Sequence, residues 1–290
     1  MRVIVVGSAN ADTTWRVHHL PRPGETIPAL SVDQHGGGKG ANIAYAAAAG
    51  SSDVVLVACV GADANAELAL SDLEAAGVSL EYVRRSDTPT GTAVILVDSA
   101  GENSIIVNAG ANGAWTSREA ANTLDSLSLA EAVIVTNFEV PDSVSLAAAQ
   151  AATGGTRLVV NPSPLAPLSP ELVACHPLIV VNAHEAMALS AMFGAVSEQP
   201  EAAARAIAAH TQAPVVVTLG AHGVGILDQE WTTVPARPVH VVDTTGAGDA
   251  FLGAMAARLG TGSLFDAVKT ATESAARVVQ TPGARTRHGR

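Results

Sequence analysis

Aromatic and charged residues are scarce in this chain of 290 residues: aromatics make up only 3% of it and charged residues 15%. Apolar residues nevertheless make up 48%, mainly as alanine, valine and leucine. That apolar content excludes a disordered or fibrous chain. Small apolar side chains are typical of alanine-rich helices packed on valine-rich strands. The length suits one elaborate domain, or a domain with a small appendage.

Cysteine is also rare, since the chain has only Cys59 and Cys175. Both lie among apolar residues, and neither belongs to a Cys-x-x-Cys motif or to a cluster of cysteine and histidine. They are predicted to be buried free thiols, as in a reducing cytosol. No apolar run is long enough to span a membrane, and the apolar Met1–Gly7 is predicted to be a first strand rather than a signal peptide. We therefore expect a cytoplasmic protein with no membrane partner.

Basic surface is lacking as well, because the formal net charge is −11 and the isoelectric point is about 5.2. Apart from Arg285, Arg287 and Arg290 in the tail, lysine and arginine form no cluster. Such a chain repels the phosphates of nucleic acids and anionic lipids, so no nucleic-acid partner is expected. ATP is not excluded, because backbone N–H groups and a metal ion can bind its phosphates.

Short β-branched runs alternate with alanine-rich segments of helical period. The predicted strands are Val3–Val6, Val54–Val60, Val133–Val135, Leu158–Val160, Leu178–Val181 and Val215–Leu219. The predicted helices are Ala41–Ala49, Ala64–Ala76, Ser117–Leu127, Asp142–Ala152, Glu185–Phe193 and Glu201–His210. Nearly continuous apolar strands are typical of a sheet buried on both faces. The alternation predicts an α/β fold with a doubly wound, mostly parallel sheet flanked by helices.

Two stretches break this alternation, at about residues 12–35 and 88–110. The second is predicted to form two strands, Thr92–Val97 and Ser104–Val107. Neither stretch can bury itself inside an α/β core. Both are therefore predicted to form a small β-sheet lid over the edge where the parallel strands end, which is where open α/β sheets bind ligands. A single domain over residues 1–290, including this lid, is the expected organisation.

The two commonest nucleotide-binding motifs are missing. The turn Gly7–Asn10 after the first strand is not G-x-G-x-x-G, so no dinucleotide site is predicted there. The run Gly36–Gly40 is superficially like a P-loop. However, Asp33 stands at its first glycine position, and Gly40 replaces the serine or threonine that would hold magnesium. A Walker-type nucleotide hydrolase is therefore not expected.

The strongest functional signal is the run Asp243–Phe251, which reads Asp-Thr-Thr-Gly-Ala-Gly-Asp-Ala-Phe. It is predicted to lie between a strand, Val239–Val242, and a helix, Ala250–Leu259. Its glycines, Gly246 and Gly248, allow a tight turn in which successive N–H groups point at one spot. That spot lies at the positive end of a helix, so the run predicts an anion hole for phosphate.

A carboxylate beside an anion hole is not explained by phosphate binding, because it repels phosphate. Asp249 makes sense there if a hydroxyl must lose its proton while phosphate charge is stabilised nearby. The amides from Gly246 through Ala247 and Gly248 to Asp249 would form the anion hole, and Asp249 would be the catalytic base. The alternative is that Asp249 only caps the helix.

This run and several shorter motifs resemble the ribokinase family of carbohydrate kinases, in the family's order and over nearly the whole chain. The shorter motifs are Gly7–Asp12, Leu20–Thr26, Gly37–Asn42, Gly101–Asn103, Ala109–Asn112, Asn161–Pro164 and Thr218–Gly220. The resemblance implies a kinase that transfers phosphate from ATP to the primary hydroxyl of a sugar held between the sheet edge and the lid. It also implies a homodimer formed through the lid.

The resemblance also assigns the acceptor site. The residues implied to bind the sugar are Asn10, Asp12, Gly38, Lys39, Asn42, Glu139 and Asp249. A polyol needs converging short acceptors and amides of this kind, not an apolar slot. Taken singly, these residues have other interpretations: Asn10 and Asp12 as turn formers, Lys39 as a surface charge and Glu139 as a first-turn helix acid.

The nucleotide and its cations are likewise assigned by resemblance. The residues implied to border ATP are Asn182, Thr218, Gly220, Gly223 and Gly248. Asn182 and Glu185 are implied to organise Mg²⁺ and its waters, which needs few protein ligands; the alternative is an N-cap with a first-turn acid. A K⁺ or other monovalent-cation site is implied at Asp243, Thr245 and Gly283. For the cation residues, the alternative is that Asp243 ends a strand and hydrogen-bonds the turn.

The motif Gly37–Asn42 is more similar to ribokinases than to fructokinases or nucleoside kinases, so D-ribose is the expected acceptor. Other sugars or nucleosides (fructose, deoxyribose, adenosine-like) stay open, as does a non-catalytic sensor of sugar or nucleotide. The sequence departs from the family in its late helix, where Ala271–Glu273 offers no asparagine or histidine to adenine. It also departs in the tail after Gly283, which lacks the usual serine.

Overall fold

The computed structural model describes residues 1–51, 53–281 and 283–285. Its strands are β1 (Val3–Val6), β2 (Asn10–Arg16), β3 (Ser31–Gly37), β4 (Val54–Gly61), β5 (Val78–Ser79), β6 (Val83–Ser86), β7 (Gly91–Val97), β8 (Asn103–Asn108), β9 (Val133–Asn137), β10 (Arg157–Asn161), β11 (Leu178–Asn182), β12 (Val215–Thr218), β13 (Val224–Asp228) and β14 (Glu230–Val234). Its α-helices are α1 (Lys39–Ala48), α2 (Ala64–Ala75), α3 (Ala111–Ala114), α4 (Ser117–Asp125), α5 (Asp142–Ala151), α6 (Pro170–Val173), α7 (Ala183–Met192), α8 (Pro200–Thr211), α9 (Ala247–Leu259) and α10 (Leu264–Val278).

A large central sheet runs in the order β14-β13-β12-β11-β10-β9-β1-β4-β5, and β6 pairs with the second half of β4. Every pairing from β12 to β5 is parallel, whereas β13 pairs antiparallel with both β12 and β14. Side chains of a strand alternate between its faces. In β1, Val3 and Val5 therefore enter one apolar cluster and Ile4 and Val6 the other.

Helices cover both faces of this sheet. One apolar cluster contains buried residues of α1, α2, α9 and α10, and the other contains buried residues of α4, α5, α7 and α8. All six predicted strands and all six predicted helices are present, with ends shifted by at most two residues. The predicted doubly wound, mostly parallel fold is confirmed, because apolar runs of that length need cover on both sides.

The two stretches that interrupt the alternation meet in a second, four-stranded sheet in the order β3-β2-β7-β8. The outer pairings are antiparallel, and the central pairing of β2 with β7 is parallel. Only three residues separate the end of β1 from the start of β2, so the chain passes directly from the core to this sheet. The predicted β lid is confirmed, and its innermost residues stand at the carboxyl end of β1.

Three sequence predictions fail in detail. Residues Val239–Val242 form no strand, because the N–H groups of Val242 and Asp243 donate to the Val279 carbonyl at the end of α10 rather than to a sheet (2.7 and 3.2 Å). The helix that follows begins at Ala247, three residues earlier than predicted. Cys59 is a buried free thiol as predicted, whereas Cys175 is only partly buried.

Among the described residues, no helix combines the length and the apolar character needed to cross a bilayer.

Candidate active site

The turn before α9 exposes backbone donors at a helix N-terminus. Gly246 takes the N-cap position with a left-handed φ of 73°, and a Cβ there would also collide with the tail, so only glycine fits. The Ala247 N–H donates to the Thr244 carbonyl at 3.2 Å. The next two amides, those of Gly248 and Asp249, have no partner among the described residues. Of the four amides predicted to form the anion hole, that of Ala247 is therefore engaged, while those of Gly248 and Asp249 stay available at the positive end of α9.

Close packing of α9 on α1 brings three of the predicted site residues together. A Cβ on Gly253 would lie 2.7 Å from the Ala47 nitrogen, so a glycine is required for this approach of the two helices. Asp249 lies one turn before Gly253 on α9. Lys39 and Asn42 lie in the first turn of α1. The contact between the helices therefore decides the distances between these three side chains.

Asp249 is a buried carboxylate with two partners, and its residue is only 7% exposed. The Asn42 Nδ2 donates to its Oδ2 at 2.9 Å, and the Lys39 Nζ lies 3.8 Å from its Oδ1. Burial raises the pKa of Asp249, and the Lys39 charge and the Asn42 hydrogen bond oppose that rise. Its side chain makes no capping hydrogen bond to α9, so the helix-cap alternative does not describe it.

Glu139 ties the start of α1 to the end of β9. Its Oε2 accepts from the Ser8 hydroxyl at 2.5 Å and from the Lys39 backbone N–H at 2.9 Å. Burial lowers the pKa of the Lys39 ammonium, but the carboxylates of Asp249, Glu139 and Glu185 together raise it above its usual value. Lys39 is therefore a partly buried cation among carboxylates. The alternative interpretation, in which Lys39 is a solvated surface charge, does not describe this position.

Asn10 begins the lid strand β2 and is only 4% exposed. Its Oδ1 accepts from the Asn112 Nδ2 at 2.7 Å, while the Asn112 Oδ1 accepts from the Ala9 N–H at 3.0 Å. Asn112 ends the motif Ala109–Asn112, but the sequence predicted no role for it. Its hydrogen bonds orient the Asn10 amide, so that Asn10 keeps its Nδ2 donors for a ligand.

Asp12 lies two residues further along β2, on the same face as Asn10. Its Oδ1 is buried and has no hydrogen-bond partner among the described residues. Burial raises the pKa of Asp12 to about 6; the nearby His35 opposes this rise and the charge of Glu139 adds to it. A buried acceptor without a donor is rare in folded proteins, and a sugar hydroxyl is the kind of group that would satisfy it.

Asn42 has both ends of its side-chain amide occupied. Its Nδ2 donates to Asp249, and its Oδ1 accepts from the Arg285 Nε at 2.9 Å. The sequence predicted Asn42 as a sugar ligand; in this structure its side chain contacts the Asp249 carboxylate and the Arg285 guanidinium. Arg285 was seen in the sequence only as one of three basic tail residues. No sequence pattern indicates that a tail arginine folds back onto α1.

A cavity of about 490 Å³ opens beside the N-terminus of α9. It is lined by Thr218, Gly220, Gly223 and Gly248, four of the five residues predicted to border ATP. Its other walls come from residues 236–239, from Val241, and from α9 and α10, where they include Thr272. Val239 and Val241 belong to the segment that the sequence predicted as a strand. That segment is irregular, and these two residues line the cavity.

The fifth predicted residue, Asn182, is exposed and caps α7. Its Oδ1 accepts from the Glu185 N–H at 2.8 Å, and the Glu185 Oε2 accepts from the Asn182 N–H at 2.9 Å. This is the N-cap arrangement that the sequence left open as an alternative. Glu185 nevertheless lies close enough to Lys39 to raise the pKa of its ammonium. In the described part of the chain, no group of three or more metal-binding side chains forms a site.

The three residues predicted to hold a monovalent cation lie together. Asp243 accepts from the Thr245 N–H at 2.8 Å and from the Gly283 N–H at 2.9 Å. Burial acts to raise the pKa of Asp243, but these hydrogen bonds hold it below its usual value. The bond to Thr245 is the turn hydrogen bond of the alternative interpretation. Pro282 and residues 286–290 of the tail lie outside the described residues. The structure therefore does not describe most of the tail in which the usual serine is lacking.

A second cavity, of about 850 Å³, separates the lid from the core. Its lid wall includes Thr14, Arg16 and His35, and its core wall includes Asp243 and Arg285. The cavity lies on the face of β2 that carries Asp12, because Thr14 and Arg16 follow Asp12 at intervals of two residues and so share its face.

Phosphoryl transfer to an alcohol needs a base beside the hydroxyl, donors for the phosphate charge and exclusion of water. Asp249, the amides that begin α9 and the covering lid meet these needs, and the polar groups around Asp12 suit a polyol. Fold and cleft together define the class, which is a carbohydrate kinase.

Comparison with known proteins leads to the same class. A family profile described as pfkB family carbohydrate kinase matches residues 1–288. A ribokinase of Staphylococcus aureus (strain COL) is 32% identical over 289 residues, covering 98% of this chain and 95% of the relative. The chain therefore belongs to the pfkB family of carbohydrate kinases.

Solved structures are similar over the same length. A ribokinase of Thermotoga maritima has a TM-score of 0.90 at 32% identity, with 98% of this chain and 95% of that chain covered. A ribokinase of Arabidopsis thaliana, in complex with ribose and ATP, has a TM-score of 0.85 at 32% identity, with 98% and 94% covered.

The raised pKa of Asp12 leads to a prediction about how the free energy of unfolding depends on pH. Because the folded pKa of about 6 lies above the unfolded value, the protonated group stabilises the fold below about pH 4. That contribution is lost as the pH rises through 6. Asp12→Asn removes the ionised group, so the gain in unfolding free energy over the wild type should be about 1 kcal/mol larger at pH 8 than at pH 5. Urea unfolding of both chains at the two pH values measures it.

The exposed Asp87 provides the control for Asp12. Asp87→Asn should change the unfolding free energy by nearly the same amount at both pH values, since its carboxylate keeps its water in the folded chain. Equal effects of Asp12→Asn at pH 5 and pH 8 would contradict the raised pKa.

Proposed function

We propose that this protein phosphorylates the primary hydroxyl of D-ribose with ATP, giving ribose 5-phosphate, and that residues 1–290 act as one kinase domain with a lid at 12–35 and 88–110. The observation that carries the proposal is the setting of Asp249. This buried carboxylate is held by Asn42 and Lys39, next to two free amides at a helix N-terminus. Such a group is placed to take a proton where phosphate charge is stabilised.

In the proposed reaction, the acceptor binds between β2 and α1. Asp12 accepts from sugar hydroxyls with its unpaired Oδ1, and Asn10 donates with its Nδ2. Lys39 and Glu139 border the same space, and Gly38, with a φ of 86°, lets the backbone approach the ring. Polar groups on two sides of a small cleft would orient the primary hydroxyl toward Asp249.

The chemical step moves one proton and one phosphoryl group. The hydroxyl oxygen forms a bond to the γ-phosphorus, its proton passes to an oxygen of Asp249, and the bond from the γ-phosphorus to the bridging oxygen of ADP breaks. The amides of Gly248 and Asp249 stabilise the charge on the transferred group. Because the pKa of Asp249 is raised by burial, the carboxylate is a stronger base than an exposed one.

The nucleotide is proposed to bind in the 490 Å³ cavity, with the glycines at 220 and 223 against it and its phosphates toward Gly248. Mg²⁺ would bind the phosphates and keep most of its waters, so few protein ligands are required. Glu185 suits this task as a carboxylate near Lys39. Asn182, which caps α7 and orients Glu185, would act through that contact.

Ribose is preferred to other acceptors because the ordered motifs resemble ribokinases and the relatives named above are ribokinases over nearly the full chain. Another sugar or a nucleoside, such as fructose, deoxyribose or adenosine, is the alternative, and the 850 Å³ cavity under the lid has room for a larger acceptor. A non-catalytic sensor is less well supported, since a sensor needs no buried base. A cytoplasmic location is proposed, as expected for an enzyme with free thiols.

The test is release of ADP from ATP and Mg²⁺ over a panel of sugars and nucleosides. D-Ribose should give the highest kcat/KM. The matched control is Asp249→Asn, which is nearly isosteric and cannot accept the proton. It should keep the fold and ATP binding but lose activity by a factor of about 10² or more. A tenfold preference for fructose or adenosine would refute ribose as the substrate, and normal turnover of the variant would refute the base.

A monovalent cation, with K⁺ favoured, is proposed to bind at Asp243, Thr245 and Gly283. The support is that one carboxylate gathers the other two residues immediately before the Gly246 turn. A large, weakly hydrated ion suits backbone carbonyls and a single carboxylate. Its charge would add to the field of the anion hole.

Initial rates at fixed magnesium and ionic strength should therefore be higher in potassium than in sodium or lithium. Asp243→Ala should abolish that difference, because the only carboxylate of the site is lost. Equal rates with all three cations would show that the wild-type protein has no functional site of this kind. A fully potassium-responsive Asp243→Ala variant would place the ion elsewhere.

A homodimer through the lid is also proposed. The support is the last lid strand, β8, whose residues are all exposed and include Ile105, Ile106 and Val107 at 54, 67 and 56% exposure. An exposed apolar edge strand is prone to pair with another chain. Light scattering at micromolar concentration should give twice the monomer mass. Ile106→Lys should give the monomer, whereas Val196→Lys, at an 88% exposed position outside the lid, should not. A wild-type monomer would refute the dimer.

A further inference from the structure

Arg285 is the last residue of the described tail, and its guanidinium turns inward rather than into solvent. Its Nε donates to the Asn42 Oδ1 at 2.9 Å, its Nη1 to the Ala69 carbonyl at 2.9 Å, and its Nη2 to the Gly37 carbonyl at 2.7 Å. All three nitrogens are therefore engaged, each with a different element. Gly36 leaves the space for this group, because a side chain there would collide with Nη1.

The guanidinium determines which way the Asn42 amide faces. A side-chain amide has an acceptor oxygen at one end and a donor nitrogen at the other, and rotation by half a turn exchanges them. Arginine has only donors, so its Nε requires the Asn42 oxygen. The nitrogen of Asn42 must then face the Asp249 Oδ2, where it is found at 2.9 Å. With the amide reversed, its oxygen would face the carboxylate and repel it.

We propose that Arg285 is a positioning residue for the catalytic base: it orients Asn42, and Asn42 in turn orients the Asp249 carboxylate toward the acceptor hydroxyl. This inference builds on the proposed function, because it assigns Asp249 the role of base. The position of the carboxylate matters because a base acts only within hydrogen-bond reach of its proton. With Asn42 bound to Oδ2, Oδ1 is the oxygen left for the hydroxyl proton, 3.8 Å from the Lys39 ammonium.

The charge of Arg285 also favours the ionised form of Asp249. Burial lowers the pKa of Arg285 to about 10, and nearby acidic groups, including Asp72, Asp12 and Asp249, oppose this change. The guanidinium therefore carries its charge at neutral pH. That charge, with Lys39, acts to lower the pKa of Asp249, while burial and Glu139 raise it. Arg285 thus helps to keep the base ionised although it is buried.

The competing explanation is that Arg285 only anchors the tail, through the carbonyls of Gly37 and Ala69. The two explanations differ in a double-mutant cycle, because an effect transmitted through Asn42 disappears once Asn42 is gone, whereas anchoring does not need Asn42. The four chains are the wild type, Arg285→Met, Asn42→Ala and the double variant. Methionine keeps much of the apolar length of arginine and has no donor. Rates of ADP release are followed over hours, so that very slow variants remain measurable.

If Arg285 positions the base, Arg285→Met should lower kcat about ten- to a hundredfold, the usual effect of one lost hydrogen bond to a charged donor, with the KM for ATP changed less than twofold. In the Asn42→Ala background the same change should alter kcat less than twofold. Arg285→Lys, which keeps the charge without the planar fork, should recover only part of the loss. Arg277→Met, on the exposed side of α10, is the control and should behave like the wild type.

An unchanged kcat in Arg285→Met, or an equal fall in both backgrounds, would overturn the proposal in favour of an anchor. If Arg285→Met does not fold, Arg285→Lys replaces it in the same cycle and is judged by the same criterion. The acceptor is the best one from the sugar panel, so an error about ribose does not affect the result. A wild-type chain inactive on every acceptor would refute the proposed function before any variant is compared.

Discussion

The burial of one carboxylate is the constraint on which the rest of the site depends. A charge removed from water destabilises a fold unless hydrogen bonds and an opposite charge compensate it. Asp249 receives these from Asn42 and Lys39. Both lie in the first turn of α1, so the compensation exists only if α9 packs closely on α1, which Gly253 permits. The core contact between two helices and the chemistry of the cleft therefore have the same cause.

The direction of the chain explains how the acceptor side is assembled. β1 lies in the middle of the parallel sheet, and β2 follows it almost at once into the lid. Asn10 and Asp12 therefore stand where the core sheet ends and the lid begins, while α1 returns beside them after β3. This first excursion of the chain provides two of the four lid strands, the polar residues of β2 and the start of α1. In this position the Asp12 Oδ1 is buried without a hydrogen-bond partner among the described residues and the pKa of Asp12 is raised to about 6, a setting suited to a hydroxyl ligand.

The fold could be predicted well because its signals are local. Runs such as Val3–Val6 are apolar on both faces, which requires cover on both sides. Helix ends carry their own signals, as at Thr116 with Glu119, whose capping box is present. The prediction failed at Val239–Val242, where β-branched residues suggested a strand. A β-branched composition makes a strand possible, but a strand also needs a neighbouring strand to pair with. Here the N–H groups of Val242 and Asp243 donate instead to a carbonyl at the end of α10.

By itself, the sequence determined the α/β architecture and the lid through the alternation of apolar runs with helical segments. Its ordered motifs, through their resemblance to a known family, indicated the carbohydrate-kinase class and the residues grouped around Asp249. Only the tertiary structure decided how those groups are paired. Asn42 is directed to the carboxylate and Arg285 from the tail to α1, contacts between residues up to 243 positions apart. No local pattern encodes such a contact. It arises because the buried donors and acceptors of distant segments must satisfy one another once the core has excluded water.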